Sequence, residues 1–531
     1  MRKRILFSFL VSLLAVIIVA CSNSSEENES NSTGEQSDEN TSEASDLTIM
    51  LGSDPNSLDP HGANDGISLY VMSTMYDKLV YLDKDLTITP GLAESLEQIS
   101  DTVWEAKIRE GVEFHDGSKL DAEVVKANLD RVRDPEIASP LSFLYDMIEE
   151  VEVIDSYTVH IKTAYPFASL PAHLAHPGGS MISKKSIDAD NEAVKNGALP
   201  FATVNEAPVG TGPFKFESRE HGVAIKVVKN EKYWDTEKAK SASITFKTIP
   251  EDFTRIAELE TGGADLIYPI SPVDVARIDA SDSAHVQQSK SSNLTYLGFN
   301  TEVEPFNQKE VRQAISMAIN KDNLIDGILE GRALPAIGPI APTVFGYSDS
   351  IDTLGYDVEK AKELMKEAGY EDGFKTTLLT YETSANADLA IFLQAELKNI
   401  GIEVDIETVE TGAYLDATGE GNSEMFIGAW GTVTLDADYG LYPMFHSSNA
   451  GYSGNRSFLK NDAIDKVLQA AREEGDEQKR LELYEEAQNL LAEEAPVAYL
   501  YHSELLAGLN NEVEDFWQYP SSIFFLRDMH K

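Results

Sequence analysis

Apolar residues recur along this chain at strand spacing in some stretches and at helix spacing in others, and the two kinds alternate. An apolar run fills residues 5–20, broken only by Ser8 and Ser12, and residues 21–46 then hold almost nothing to bury. From residue 47 the pattern is that of a folded chain. The run 47–51 predicts a strand, closed by Gly52 and the turn residues Ser53, Asp54, Pro55 and Asn56. Residues 67–76 predict a helix, 104–108 a strand, and 121–132 a helix with Val124, Val125, Leu129 and Val132 on one face. Alternation on both sides of Asp155-Ser156 predicts a β-hairpin over 151–162. Strands follow at 214–216 and 224–228, a helix at 252–260 stopped by Gly262-Gly263, and strands at 265–268 and 294–300. Helices are predicted at 309–319, 322–329 and 358–368, the last closed by Gly369. The chain continues with strand 376–380, helix 387–398, strand 403–408, a buried strand at 425–430, helices 462–472 and 476–493, and strand 497–501. Helical connections between strands place the fold in the α/β class, not among sandwiches or bundles.

The first apolar run changes the picture of where the protein works. Arg2, Lys3 and Arg4 precede it, and it is shorter than the ~20 residues a spanning helix needs. It ends in Ile18-Val19-Ala20-Cys21, the pattern of a bacterial lipobox. Residues 1–20 are therefore expected to be a lipoprotein signal peptide, Cys21 the lipidated residue, and 21–46 an acidic disordered tether. The expected location is the cell membrane, lipid-anchored on the extracellular face as in Gram-positive cells, or the periplasm. Cys21 is the only cysteine, so no internal disulfide or multi-cysteine metal site exists. The chain holds 43 Lys+Arg against 90 Asp+Glu, a net charge of −47. A surface of that sign excludes nucleic acid as a partner and direct adhesion to anionic lipid, which leaves the acyl chain to hold the protein at the membrane.

Enzymatic signatures are missing: no phosphate loop, no dinucleotide-binding glycine turn and no Gly-x-Ser-x-Gly elbow occurs. His173 and His176 are three apart, but Pro171 and Pro177-Gly178-Gly179 surround them and no third ligand stands at metal spacing, so they read as loop or packing histidines. No metal and no cofactor is expected. One cluster stands out from the acidic background. Trp430, Gly431, Thr432, Val433, Thr434, Leu435, Asp436, Ala437, Asp438 and Tyr439 follow the buried run 425–429. A loop leaving a strand end is where α/β proteins contact ligands, and Asp436 or Asp438 could receive an ammonium. Equally, Asp436 could cap a helix running towards Phe445, with Trp430 in the core.

Several ordered passages carry a resemblance that covers the chain from residue 47 to its C-terminus. They include Ser57-Leu58-Asp59-Pro60, Pro90-Gly91-Leu92-Ala93-Glu94-Ser95, Phe114-His115-Asp116-Gly117, Pro208-Val209-Gly210-Thr211-Gly212-Pro213-Phe214 and Asn230-Glu231-Lys232-Tyr233-Trp234. By these the chain resembles the peptide- and nickel-type (family 5) extracellular solute-binding proteins of ABC importers. Asp59-Pro60-His61-Gly62-Ala63-Asn64-Asp65, Leu174-Ala175-His176-Pro177-Gly178-Gly179 and Asp436-Ala437-Asp438-Tyr439 are most similar to the glutathione-binding branch. The resemblance implies a bilobal fold with a hinge and a central cleft. Lobe I would comprise 47–88, 203–285 and 500–531, with a subdomain at 89–202, and lobe II 286–499. It implies a monomer that is no enzyme, captures glutathione or a short peptide, and serves ABC permease subunits. Asn64, Asp65 and Tyr76 would approach the ligand from one side, and Tyr296, Asn300, Trp430, Thr432, Asp436 and Asp438 from the other. Two positions depart from the relatives. Val433 stands where dipeptide and oligopeptide binders carry an Asp for the ligand's amino terminus, and Leu294-Thr295-Tyr296 stands where the glutathione branch tends to carry an Arg. The competing class is an exported, lipid-anchored hydrolase acting on peptides or glycosides.

Overall fold

A single strand, Val497–Asn510, runs through both halves of the molecule in the computed structural model, which describes residues 45–452 and 454–531. Its first part, Val497 to Tyr501, pairs antiparallel with the strand Asn293–Phe299. Its second part, Glu504 to Asn510, pairs antiparallel with Ala284–Lys290. The neighbouring chain crosses between the halves at Ser291-Ser292, beside His502-Ser503, so two adjacent backbone passages join them. The sheet order is Ile402–Val409, Phe374–Tyr381, Met425–Gly431, Asn293–Phe299, Val497–Asn510, Leu266–Tyr268, Asp46–Leu51, Ser243–Thr248, Ala224–Lys229 and Phe214–Glu220. The strand Asp46–Leu51 pairs parallel with both neighbours, and Phe374–Tyr381 does likewise in the other half. Helices supply these parallel crossovers, as the α/β expectation requires.

A separate antiparallel sheet of Ala93–Ser100, Val103–Ile108, Thr158–Thr163 and Ile148–Asp155 forms the subdomain on the first lobe. The predicted hairpin is its last pair. The helix Ala122–Arg133 lies over it, started by Asp121, whose carboxylate accepts the Val124 N–H. The first lobe and the second each carry their own apolar cores.

Two predicted elements have different bounds. The helix expected over 67–76 is Gly66–Met72. The Ser73 and Thr74 hydroxyls donate back to the Tyr70 and Val71 carbonyls at 2.7 Å each, competing with the next helical turn. The strand expected at 497–501 continues to Asn510 because Ser503 and Glu504, at the crossing between lobes, interrupt its apolar run without ending its pairing. The first strand starts at Asp46, the last residue assigned to the tether. Cys21, the signal segment and the tether up to residue 44 lie outside the described residues. Among the described residues no helix is long and apolar enough to cross a membrane.

Candidate ligand-binding seam

The strand Met425–Gly431 leads the second lobe up to the first. Met425, Phe426 and Ile427 are buried in their own lobe, and Trp430 near its end is only partly covered. The chain then turns: the Leu435 N–H donates to the Thr432 carbonyl at 3.1 Å, and Leu435 takes a left-handed φ of 57°. The reversal sets Asp436 at the start of the helix Ala437–Phe445, where its carboxylate accepts the Asp438 N–H at 2.9 Å.

One residue of that helix is inserted into the opposite lobe. The subdomain core is built from residues between Leu79 and Met181, and Tyr439 is its one member from the second lobe, 2% exposed. The Tyr439 ring stacks on Phe143 with centroids 5.8 Å apart and lies 5.8 Å from His176 and 5.5 Å from Trp430. Its hydroxyl accepts from Asn64 Nδ2 at 3.1 Å, and its carbonyl accepts the Trp430 indole N–H at 3.1 Å. Burial pushes the Tyr439 hydroxyl up to about 12, against the pull of the Asn64 contact. Val433 and Trp430 pack on the same core. A carboxylate at position 433 would have to be desolvated in that contact, which accounts physically for the valine.

Two ion pairs flank Tyr439. Arg472 Nε lies 3.0 Å from Asp438, with the guanidinium 3.8 Å from the Tyr442 ring centre. From the subdomain, His173 Nε2 approaches the same carboxylate at 3.2 Å, and Arg472 donates to the Tyr165 hydroxyl at 3.3 Å. Burial alone would raise the Asp438 carboxyl, but Arg472 and His173 outweigh it and hold it below the usual carboxylate range. The second pair is Arg480 Nη2 with both oxygens of Asp436 at 2.9 Å, and the same nitrogen donates to Ser169 of the subdomain at 2.6 Å. Beside Asp436 the lobes leave a groove of about 660 Å³, bounded by Ser169 and Pro171 on one side and by Phe345, Thr434 and Arg480 on the other.

The structure gathers some of the expected site residues here and leaves others elsewhere. Asn64, Trp430, Asp436 and Asp438 meet at the seam. Asp65 sits beside Asn64 and caps Gly66–Met72, accepting from the Ser68 N–H at 3.0 Å and the Ser68 hydroxyl at 2.8 Å. Thr432 is buried with its hydroxyl against Gly440, where a Cβ would come within 2.8 Å of it. Tyr76, Tyr296 and Asn300 are packed inside their lobes. Tyr76 is 2% exposed and donates to the Leu58 carbonyl at 3.0 Å. Tyr296 fills the space over Gly428, its cross-strand partner. Asn300 donates to the Gly421 carbonyl at 2.9 Å and accepts the Glu302 N–H at 3.1 Å. Arginines of their own lobe pair with the carboxylates of Asp436 and Asp438, the two groups expected to receive an ammonium. Helix capping and seam contact turn out to be joint roles of this segment.

Residues that reasoning on the sequence misses are Phe143, Ser169, Arg472 and Arg480, with Tyr439 named only as part of its passage and His173 and His176 noticed only as a discarded metal pair. Among the described residues no three His, Cys, Asp or Glu side chains form a metal cluster. A usable signal was the joint match of the Leu174–Gly179 and Asp436–Tyr439 passages to one branch, because these two passages are the faces that touch.

Comparison with known proteins agrees with this architecture. The family model described as bacterial extracellular solute-binding proteins, family 5, matches residues 87–452. The glutathione-binding protein GsiB of Salmonella paratyphi A is 34% identical over 493 residues, covering 91% of this chain and 94% of that protein. GsiB of Escherichia coli K12 is 32% identical over the same shares. The periplasmic binding protein DppA of Helicobacter pylori, solved with the peptide STSA, superposes with a TM-score of 0.82 at 31% identity, covering 91% of this chain and 98% of that one. These relatives are bilobal solute-binding proteins and not enzymes, which sets the hydrolase alternative aside. By sequence over nearly its whole described length, the chain belongs to family 5 of the bacterial extracellular solute-binding proteins.

Proposed function

We propose that this protein captures a peptide-like solute, glutathione or a short peptide, by closing its lobes, and hands it to the permease subunits of an ABC importer. The observation that carries the reading is the seam itself: Asn64 of one lobe donates to the hydroxyl of Tyr439 of the other, whose carbonyl accepts the Trp430 indole N–H, while two adjacent backbone passages join the halves. A solute touching both faces binds the closed form more tightly than the open one and shifts the population by that difference. Asn64, Asp65 and Trp430 supply the contact surface in this reading, with Thr432 buried behind them. With Val433 apolar and Asp436 and Asp438 held by arginines, Asp65 is the carboxylate at the seam with lone pairs to spare for a ligand ammonium. The names of the relatives favour glutathione within the peptide-like class.

Removal of residues 1–20 and acylation of Cys21 would hold the mature monomer at the outer side of the cytoplasmic membrane through the acidic tether. Intact-mass analysis of the membrane-extracted protein tests this, with an acylated N-terminal Cys21 expected and an unmodified Met1 start contradicting it. For the ligand, mass spectrometry of the compound released from protein as purified decides, followed by calorimetry with that compound. Reduced or oxidised glutathione is expected. A mixture of plain dipeptides would overturn glutathione while keeping capture, and a cleaved product would overturn transport.

A further inference from the structure

The seam lies at the N-terminal end of the helix Gly66–Met72. Beyond the other end of that helix, ~10 Å away along its axis at 1.5 Å per residue, is a second cavity of about 350 Å³. Every residue lining it belongs to the first lobe or the C-terminal segment, so it exists whether the lobes are open or closed. That volume is within the range of small-molecule pockets. Its walls are aromatic, with Tyr81, Trp234, Trp517, Tyr519 and Phe525 among them, and the Trp517 and Phe525 rings stack at 4.9 Å.

Four carboxylates and three cations line this cavity, and the carboxylates, unlike two of the cations, already have partners. Asp77 is buried and its carboxylate is filled by four neutral donors: the Tyr81 hydroxyl at 2.5 Å, Thr211 at 2.8 Å, the Tyr233 hydroxyl at 3.1 Å and the Trp234 indole N–H at 2.8 Å. Asp235 and Asp528 are paired with Arg527, and Asp83 accepts the backbone N–H groups of Asp85 and Thr87. Two cations remain without a hydrogen bond or ion pair among the described residues. Lys78 has its ammonium 4.9 Å from the Tyr81 ring centre, and Lys84 lies 5.1 Å from that of Trp517. An aromatic cavity whose carboxylates all have donors, and whose two lysines have no acceptor, has a place for a ligand carboxylate. Burial lowers Lys78 to about 8, with Asp77 opposing, which shows how poorly water solvates that ammonium.

We propose that this cavity is a second binding site, independent of the seam, for a small planar aromatic carboxylate: the ring stacks on the aromatic walls and the carboxylate pairs with Lys78. Calorimetry on the full chain with 1-naphthoate as the probe tests it. Saturable one-to-one binding is expected, with the neutral 1-naphthalenemethanol binding about ten-fold more weakly or worse, the loss expected for one charge-assisted contact. Lys78→Met is expected to cost a similar factor and Lys78→Arg to restore most of it, while the seam ligand binds both variants as it binds the wild type. Equal binding of naphthoate and the alcohol, unchanged binding to Lys78→Met, or no saturation at all would each overturn the proposal. So would displacement of naphthoate by the seam ligand, which would reduce the two sites to one.

Discussion

Two buried charge clusters, one inside the first lobe and one across the seam, use the same parts for different ends. In the first, Arg131 bonds Asp59 at 2.6 Å and Asp190 at 2.8 Å, and it lies 3.0 Å from His61 Nδ1. All four residues come from the first lobe, so the cluster is intact in any lobe arrangement, and it pins the loop that leads to Asn64. In the second, Asp438 and Arg472 pair within one lobe, and His173 and Tyr165 come to them from the other. Separating the lobes there removes added contacts but orphans no charge. A buried charge left without its partner costs about 3–5 kcal/mol, whereas a lost neutral contact costs about 0.5–1.5 kcal/mol. Keeping the close pairs Asp438–Arg472 and Asp436–Arg480 each within one lobe, with His173 and Asp146 reaching the former from the other, would let the proposed closure reverse.

The comparison can be broken at its strongest point first. Arg131→Met leaves Asp59 and Asp190 buried without a cation and is expected to lower stability by about 3–5 kcal/mol in urea unfolding. Arg472→Met is expected to cost less, because the lobes can part and let water reach Asp438. X-ray scattering of that variant should show a larger radius of gyration than the wild type. If it matches Arg131→Met in stability loss and stays compact, the seam pair is structural like the other. Tyr439→Ala removes a ring from the opposite lobe's core. Its cost stays below the roughly 3–5 kcal/mol of a fixed aromatic core residue, and it is expected to appear mainly as weaker ligand binding in calorimetry. Asn64→Ala removes one partly exposed hydrogen bond and is expected to weaken ligand binding at the low end of about 0.5–1.5 kcal/mol, without changing stability.

Acid probes the same contrast. The Asp438 carboxyl is depressed in the folded protein, so its contribution is present above its unfolded value of about 3.9 and is lost as pH falls through the lower folded value. Stability of the wild type is expected to fall over that acid range, and Asp438→Asn, already weakened at neutral pH, is expected to lose the part of the slope that belongs to this group.

Strands and helices were legible because burial imposes its period locally, as in Val124, Val125, Leu129 and Val132. The seam was legible only on one side. Trp430, Asp436 and Asp438 follow an apolar strand in sequence, a local signal. Their partners His173, Arg472 and Arg480 are brought to them by the fold, and nothing in their own neighbourhoods marks them, while Asn64 is marked only by the family resemblance of the Asp59–Asp65 passage. Tyr76 and Asn300 beyond element ends, and Tyr296 within its strand, show the converse: each carries a polar group that looks available in sequence, yet each finds a partner or a glycine-made gap inside its lobe.

The most direct measurement is X-ray scattering of the full chain, stripped of ligand and then titrated with the compound that co-purifies with it. The account predicts a fall in radius of gyration that saturates at one equivalent, with the compound recovered intact. An unchanged radius at saturation would contradict it, because the solute would then be held without the lobes closing.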